Sequence, residues 1–191
     1  MKVLAINGSA RKDGNTAAML KTCMAELEAQ GIETELVQLA GKQLNGCIAC
    51  FKCYENKDKH CAVKKDMLNE LIDKMLEADG VLIGSPTYFA NVSTNIKSLI
   101  DRAGMVAIAN DAMFARKVGA AVVAVRRGGA IHVFNSINHL FFISQMIVPG
   151  SCYWNMGRGL NPGDVESDDE GLHTMEVLGK NMGWLLKKIQ G

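Results

Sequence analysis

The chain has 191 residues, 48% of them apolar, which is enough for one well-buried core and little more. Lys plus Arg number 21 against 20 Asp plus Glu, a formal charge of +1, so no global field draws in nucleic acid or an anionic membrane. No apolar run approaches the roughly 20 residues of a spanning helix, and the opening "MKVLAINGS" turns polar too early for a signal peptide. These features predict a single domain over residues 1–191, in the cytoplasm, with a small molecule as partner rather than nucleic acid or membrane.

In chain order, "KVLAI" (2–6) is the nearly unbroken apolar run of a strand buried on both faces, and it ends at Asn7-Gly8. Ala17, Leu20, Met24 and Leu27 then recur at helical spacing, and Gly31 closes that segment. "ETELVQL" (33–39) alternates like a second, more exposed strand. A cysteine-rich stretch follows, then a helix from about Lys65 to Ala78 with Leu68, Leu71, Ile72 and Met75 inward. "GVLIGS" (80–85), "VGAAVVAV" (118–125) and "QMIVPG" (145–150) read as further strands, and helices fill 93–103, 131–143 and 171–188. Strands separated regularly by helix-length crossovers imply right-handed βαβ units. The fold class is therefore α/β, a doubly wound five-stranded parallel sheet with helices on both faces, in three α/β/α layers.

Ligands of such sheets sit outside the carboxyl ends of the strands, so the loops there carry the chemistry. Four of them are unusual: "NGSARKDGNT", the cysteines, "SPTYFANVS" and "RRGGA". In the first, helix N-terminal amides with Ser9, Asn15 and Thr16 make a nest for a phosphate, and Arg11 adds charge. An ordinary Ser/Thr/Asn-rich capping loop is the plainer reading. Neither G-x-x-x-x-G-K-[ST] nor G-x-G-x-x-G is present, which leaves P-loop phosphoryl transfer and the dinucleotide fingerprint unsupported.

"GSARKDGNT" together with "SPTYFANVSTNIKSLIDR" (85–102) resembles the flavodoxin-like NAD(P)H-dependent FMN reductase family. That family carries a G-S-x-R-x-x-x-[NS]-[ST] phosphate loop and an S-P-x-Y element followed by K-x-x-[IL]-D-R. The likeness runs from the first strand to about residue 129 and weakens beyond Met146. It implies an FMN whose phosphate is held by Ser9, Arg11, Asn15 and Thr16. It also implies an isoalloxazine ring bordered by Pro86, Thr87, Tyr88, Phe89 and Asn91, with Arg126, Gly128 and Gly129 on its other side. The residue types suit a flat redox-active ring. Pro86 and Thr87 let backbone approach it, Tyr88 and Phe89 offer faces or edges, and Arg126 or Arg127 can stabilise its anionic reduced form. Taken singly, the aromatics read as core packing and the arginines as a solvated turn.

"CIACFKC" (47–53) places three thiols at i, i+3 and i+6, which converge on one side of a helical turn or tight loop, and Cys61 can complete four ligands. In a reducing compartment such a cluster reads as metal-binding or catalytic before it reads as a disulfide framework. C-x2-C-x2-C is a 4Fe-4S spacing, although the usual bacterial run places its fourth cysteine sooner and follows it with proline, where Ala62 stands here. Within the flavodoxin-like families the pattern resembles the iron-sulfur flavoproteins, which hold a 4Fe-4S cluster beside FMN. Lys52, Lys57, Lys59, Lys64 and Lys65 would offset the charge of thiolate-bound iron. Zinc, a transient disulfide, and a loop that never takes up a cluster remain as alternatives, zinc preferring two separated ligand pairs.

Cys23 and Cys152 read as buried small hydrophobes. His132, His139 and His60 read as structural or surface residues, and "GDVESDDEG" (163–171) as a solvated loop leading into the last helix. "SCYWNMGRG" (151–159) suits an oligomer contact or a lid. The expected function is an FMN-dependent oxidoreductase that passes electrons through FMN and a 4Fe-4S cluster to a carrier such as a ferredoxin, with no side chain as catalytic acid or base. A cluster-free NAD(P)H-dependent FMN or quinone reductase, with the nicotinamide stacking transiently on FMN, is the alternative. A non-enzymatic redox carrier or sensor and a structural zinc module are further classes. The resemblance implies a homodimer or homotetramer.

Overall fold

The apolar run at the amino end forms β1 (Lys2–Asn7), whose pleat sends Leu4 and Ile6 to one face of the sheet and Val3 and Ala5 to the other. The structure is a computed structural model that describes residues 1–190. After β1 come α1 (Asn15–Glu28), β2 (Glu33–Gln38), α2 (Lys52–Asn56), α3 (Leu68–Glu77) and β3 (Gly80–Pro86). They are followed by α4 (Thr94–Ala109), β4 (Val118–Val125), α5 (Ala130–Ile143), β5 (Met156–Arg158), a 3-10 turn (Asp164–Ser167) and α6 (Asp169–Gln190). All pairings are parallel, in the order β2-β1-β3-β4-β5. The expected doubly wound five-stranded sheet is the architecture found, and the chain reverses its direction of winding between β1 and β3, where such sheets open a crevice.

Each face of the sheet carries its own helical layer. Met19, Leu20 and Leu27 of α1 with Met175, Leu178 and Met182 of α6 cover Val3, Ala5, Leu82 and Val122. On the other face Leu71, Ile72 and Met75 of α3, Leu99 and Val106 of α4 and Val133 and Phe141 of α5 cover Leu4, Ile6, Ile83 and Val123. Burying a large aliphatic side chain contributes about 1.5–3 kcal/mol, so these two layers dominate the stability. Among the described residues no helix is long and apolar enough to cross a membrane.

The fifth strand differs from expectation. Residues 145–150 make only a single parallel bridge, Ile147 to Val118, and the paired edge strand is Met156–Arg158, in register with Val123, Ala124 and Val125. Pro149 lacks an N–H for a ladder and Gly150 adds conformational freedom, so the chain leaves β4 after one contact. It returns at Asn155, whose carbonyl accepts from Val123 N at 3.0 Å. Two helices also shift. α3 begins at Leu68 rather than near Lys65, where the Asp66 carboxylate accepts from Leu68 N, and α4 runs on to Ala109. The acidic stretch is more ordered than a solvated loop. Val165 is buried, Asp164 accepts from the amides of Leu160 and Asn161, and Asp168 accepts from those of Arg158 and Gly171.

Candidate functional site

The loops after β1, β3 and β4 meet at one edge of the sheet. They enclose a cavity of about 150 Å³ lined by Ser9, Arg11, Asn15, Thr16, Pro86, Thr87, Tyr88 and Arg126. The first turn of α1 is preceded by extended Gly14 and has no side-chain cap, so its leading amides are uncommitted and carry the positive end of the helix dipole. Buried Asn7 shapes this loop by accepting from Ser9 N at 3.0 Å, and Ser9 Oγ accepts from Arg11 N at 3.1 Å. Arg11 Nη1 reaches across the mouth to the carbonyl of Leu160 at 2.6 Å.

Asn15 sits in this wall but its amide is committed elsewhere. Its Nδ2 donates to the Asn161 carbonyl at 2.9 Å and its Oδ1 accepts from Val165 N at 3.3 Å. Asn15 therefore ties the 159–165 segment down as the fourth side of the pocket, a contact 146 residues away in sequence that no local pattern reveals. Thr87 N donates to the Ala124 carbonyl at 2.8 Å, while Thr87 Oγ1 is buried in the lining without a protein hydrogen-bond partner. A buried hydroxyl left unmatched costs roughly 1–3 kcal/mol, so the pocket is built for a polar occupant.

The four remaining residues of the predicted ring site, Phe89, Asn91, Gly128 and Gly129, do not line this cavity. Tyr88 and Asn91 exchange backbone hydrogen bonds across a tight turn whose central residues, Phe89 and Ala90, have φ values of 48° and 57°. That left-handed pair is normally glycine or asparagine, and holding Phe and Ala there costs roughly 1–2 kcal/mol each. Phe89 is thereby projected wholly into solvent, 107% exposed, rather than into the core. Gly129, at φ +87°, lets the turn into α5 pass against Ala90. Gly128 and Gly129 line a larger neighbouring cavity of about 430 Å³, together with Tyr153, Trp154 and Arg158.

The cysteines form a second site. Cys47, Cys50, Cys53 and Cys61 all line one small cavity of about 30 Å³ with Phe51, Met105 and Arg102. No continuous helix brings the first three together. Left-handed Ala49 and Phe51 fold the chain between them, and only Cys53 lies on the one-turn α2. Cys47 and Cys50 are exposed, Cys61 is half-buried and Cys53 is buried. Burial pushes the Cys53 thiol upward, and backbone hydrogen bonds oppose this, while Cys61 and Cys50 add like charge. Among the described residues no three Cys, His, Asp or Glu side chains are already drawn into a closed metal-binding group. Four soft sulfur donors around an apolar cavity with one buried cation are nevertheless the chemistry that thiolate-bound iron needs.

α4 leads from the strand-end loops toward the cysteines. Its first residues face the strand-end loops, and Asn95 and Ser98 hold the carbonyls of Leu39, Lys42 and Leu44 leading to the cysteines. Arg102, eight residues on from Thr94, lies about 12 Å along the helix axis at the cysteine cavity.

Residues 1–161 match the family model of NADPH-dependent FMN reductases. An iron-sulfur flavoprotein of Methanocaldococcus jannaschii is 40% identical over 197 residues, covering 100% of both chains. The chain belongs to the NADPH-dependent FMN reductase family. An iron-sulfur flavoprotein from Methanosarcina thermophila is 32% identical, covering 100% of this chain and 97% of its own. The fold agrees with that of the flavodoxin, WrbA-like protein from Agrobacterium tumefaciens, with a TM-score of 0.67 at 14% identity over 98% of this chain and 97% of that one. The protein is thus an FMN-dependent oxidoreductase with a flavodoxin-like fold.

In this FMN-dependent oxidoreductase several site features carry little or no signal in the sequence. Arg102 ends the family-like K-x-x-[IL]-D-R stretch, where nothing local marks a role for it, and it is almost fully buried. Leu160 and Gly159, which close the pocket, had no signal beyond the aromatic, glycine-bearing segment before them. Cys23 is buried as expected, with its thiol pushed well up by desolvation. Cys152 is exposed instead, because residues 151–154 loop out beyond the sheet edge. His132 and His139 lie on the surface of α5, and His60 pairs with Asp73 at 2.8 Å.

Proposed function

We propose that this chain passes electrons between FMN in the strand-end pocket and a 4Fe-4S cluster held by Cys47, Cys50, Cys53 and Cys61, in a reducing cytoplasm. The observation that carries the reading is the shared lining of one apolar cavity by all four thiols and a buried arginine, at the far end of the helix that starts at the strand-end loops. When bound, FMN supplies both one- and two-electron chemistry and the cluster single-electron transfer.

The protein's share is binding and tuning. The uncapped amides of α1 with Ser9, Thr16 and Arg11 hold the phosphate. Asn15 acts through the 161–165 segment that it fastens. Thr87 Oγ1 donates or accepts at the ring edge, Pro86, Tyr88, Phe89 and Asn91 border the ring, and Gly128 and Gly129 admit it close to backbone. Arg126 lends positive charge to the reduced ring.

Exposed Ile48, Phe51 and Tyr54 beside the lysines of this segment support a ferredoxin-like carrier as partner. The cavity bounded by Tyr153 and Trp154 supports a small-molecule acceptor or transient NAD(P)H. Exposed Phe142, Ile143 and Ile147 support a homodimer or homotetramer. A second reading, a cluster-free NAD(P)H-dependent reductase, is favoured by the exposure of Cys47 and Cys50.

The test is an absorption spectrum of anaerobically purified protein, with iron, sulfide and released FMN quantified on the same sample. Flavin bands over a broad brown shoulder, with about four irons per chain, are expected. Flavin bands alone after an iron-sulfide reconstitution would move the reading to the cluster-free reductase.

A further inference from the structure

Arg102 is among the largest fully buried side chains of the molecule, and every arm of its guanidinium is spoken for. Nε donates to Cys61 Sγ at 3.4 Å, Nη1 to the Asn45 carbonyl at 3.0 Å and to Asp66 Oδ2 at 2.5 Å, and Nη2 to the Val63 carbonyl at 2.9 Å. Asp66 is equally buried and also accepts from Asn45 N, Asn45 Nδ2 and Leu68 N. The other side of Cys61 is gripped by Asn69, whose Oδ1 accepts from Cys61 N at 2.8 Å while its Nδ2 donates to the Cys61 carbonyl at 2.9 Å.

A buried ion pair is an expensive way to stabilise a fold, since apolar side chains of the same volume do as well or better. The Arg102 and Asp66 pair is also built with one donor left for sulfur. Neither partner faces the strand-end pocket, and electron transfer through FMN gives them no work there.

We infer that Arg102, anchored by Asp66, is a positioning residue for the cysteine site: it fixes Cys61 as the preformed ligand and donates a hydrogen bond to its sulfur in the cluster-bound protein. This rests on the cluster reading of the four cysteines. The half of the site built from Cys61 and Cys53 is held in place without iron, while Cys47 and Cys50 lie exposed on the left-handed loop. A planar fork suits the task better than a lysine, because one group can hold two backbone carbonyls, a carboxylate and a sulfur at once. Hydrogen bonds to cluster sulfurs and nearby positive charge raise the reduction potential, so the same contact tunes the site as well as shaping it.

Two variants separate these roles from folding. Arg102→Lys keeps the charge and loses the fork. Arg102→Met combined with Asp66→Asn removes the pair without leaving a buried charge alone. Thermal midpoint and FMN content are measured first to establish that each variant folds. The anaerobic, cluster-free proteins are then titrated with Co(II), followed by sulfur-to-cobalt absorption, and the reconstituted proteins are poised at defined potentials and read by electron paramagnetic resonance. Loss of an outer partner of a metal ligand typically weakens metal binding about 10–100-fold, and that loss is expected for both variants. A more negative cluster potential is expected in the double variant. Folded, FMN-bearing variants that match the wild type in Co(II) affinity and cluster potential would overturn the inference while leaving the cluster reading intact. A wild-type protein that binds flavin but takes up no iron would overturn both.

Discussion

In the strand-end pocket, loops leave β1, β3 and β4 at heights set by the ladder, and the polar groups sit on backbone that the sheet holds still. Around the cysteines almost nothing is regular: between Gln38 and Leu68 the only helix is the one-turn α2, and the segment is held by side chains from elsewhere. Asn95, Ser98 and Arg102 of α4, Asn69 of α3 and Asn110 beyond α4 all bond its backbone. The first site is positioned by secondary structure and the second by a network of buried or half-buried polar side chains. The comparison teaches that the first should tolerate substitutions in its lining without unfolding, whereas the second should lose its function through residues that touch no ligand.

Cys50→Ser should bring iron to background after reconstitution while FMN stays bound, as read by iron assay and flavin release on one sample; unchanged iron would remove Cys50 from the ligand set. Arg11→Ala with Thr16→Val should weaken FMN about ten- to hundredfold more than riboflavin, because only FMN offers a phosphate for charge-assisted hydrogen bonds. Flavin fluorescence titration decides this, and equal losses would mean that the α1 loop is not the phosphate cradle.

Gly8→Ala should lower stability by about 1–3 kcal/mol. A methyl there would lie 2.2 Å from Ile96 Cγ1, 2.7 Å from its Cδ1 and 3.0 Å from the Gly84 carbonyl; Ile96→Ala removes both side-chain contacts, so Gly8→Ala should cost less in that background than in the wild type in a denaturant titration. Phe89→Gly should stabilise by about 1 kcal/mol by relieving the left-handed turn, with the ring face lost to any ligand or partner that uses it. A stability that falls instead would show the exposed ring to be packed in solution.

The smallest effect concerns pH. Glu35 lies between Lys2 and Lys74, at 2.7 Å from each, and these partners hold its carboxyl below the ordinary carboxylate value. Its carboxylate therefore contributes stability above the unfolded pKa of about 4.3, and that contribution is lost as pH falls through the lower folded value. Thermal midpoints between about pH 5 and pH 3 should fall less steeply in Glu35→Gln than in the wild type. The three side chains are only partly buried, so the difference should shrink at high salt, and a difference independent of salt would argue against the ion pairs as its source.

Much of this was readable before any coordinates. The alternation and apolar runs of β1 to β4 and the helical spacings of α1 and α3 sufficed, because burial on both faces of a parallel sheet leaves a strong local pattern. β5 was misplaced because its three residues, Met156 to Arg158, carry no periodicity, while the apolar run at 145–150 resembles a strand but is interrupted by Pro149. The pocket residues in the loops after β1 and β3 were legible from residue type and position. Leu160 and the anchoring role of Asn15 were not, since both depend on a segment that folds back from beyond the sheet edge.

The doubly wound sheet, the edge at which the site lies and the four thiols are written in local spacing. Which of those thiols is held in place depends on contacts between distant segments. Arg102 looks like a solvent-facing charge until α4 packs it against Asp66 from 36 residues away. Long-range burial then turns a mobile surface cation into a fixed hydrogen-bond donor, and no local pattern encodes that change.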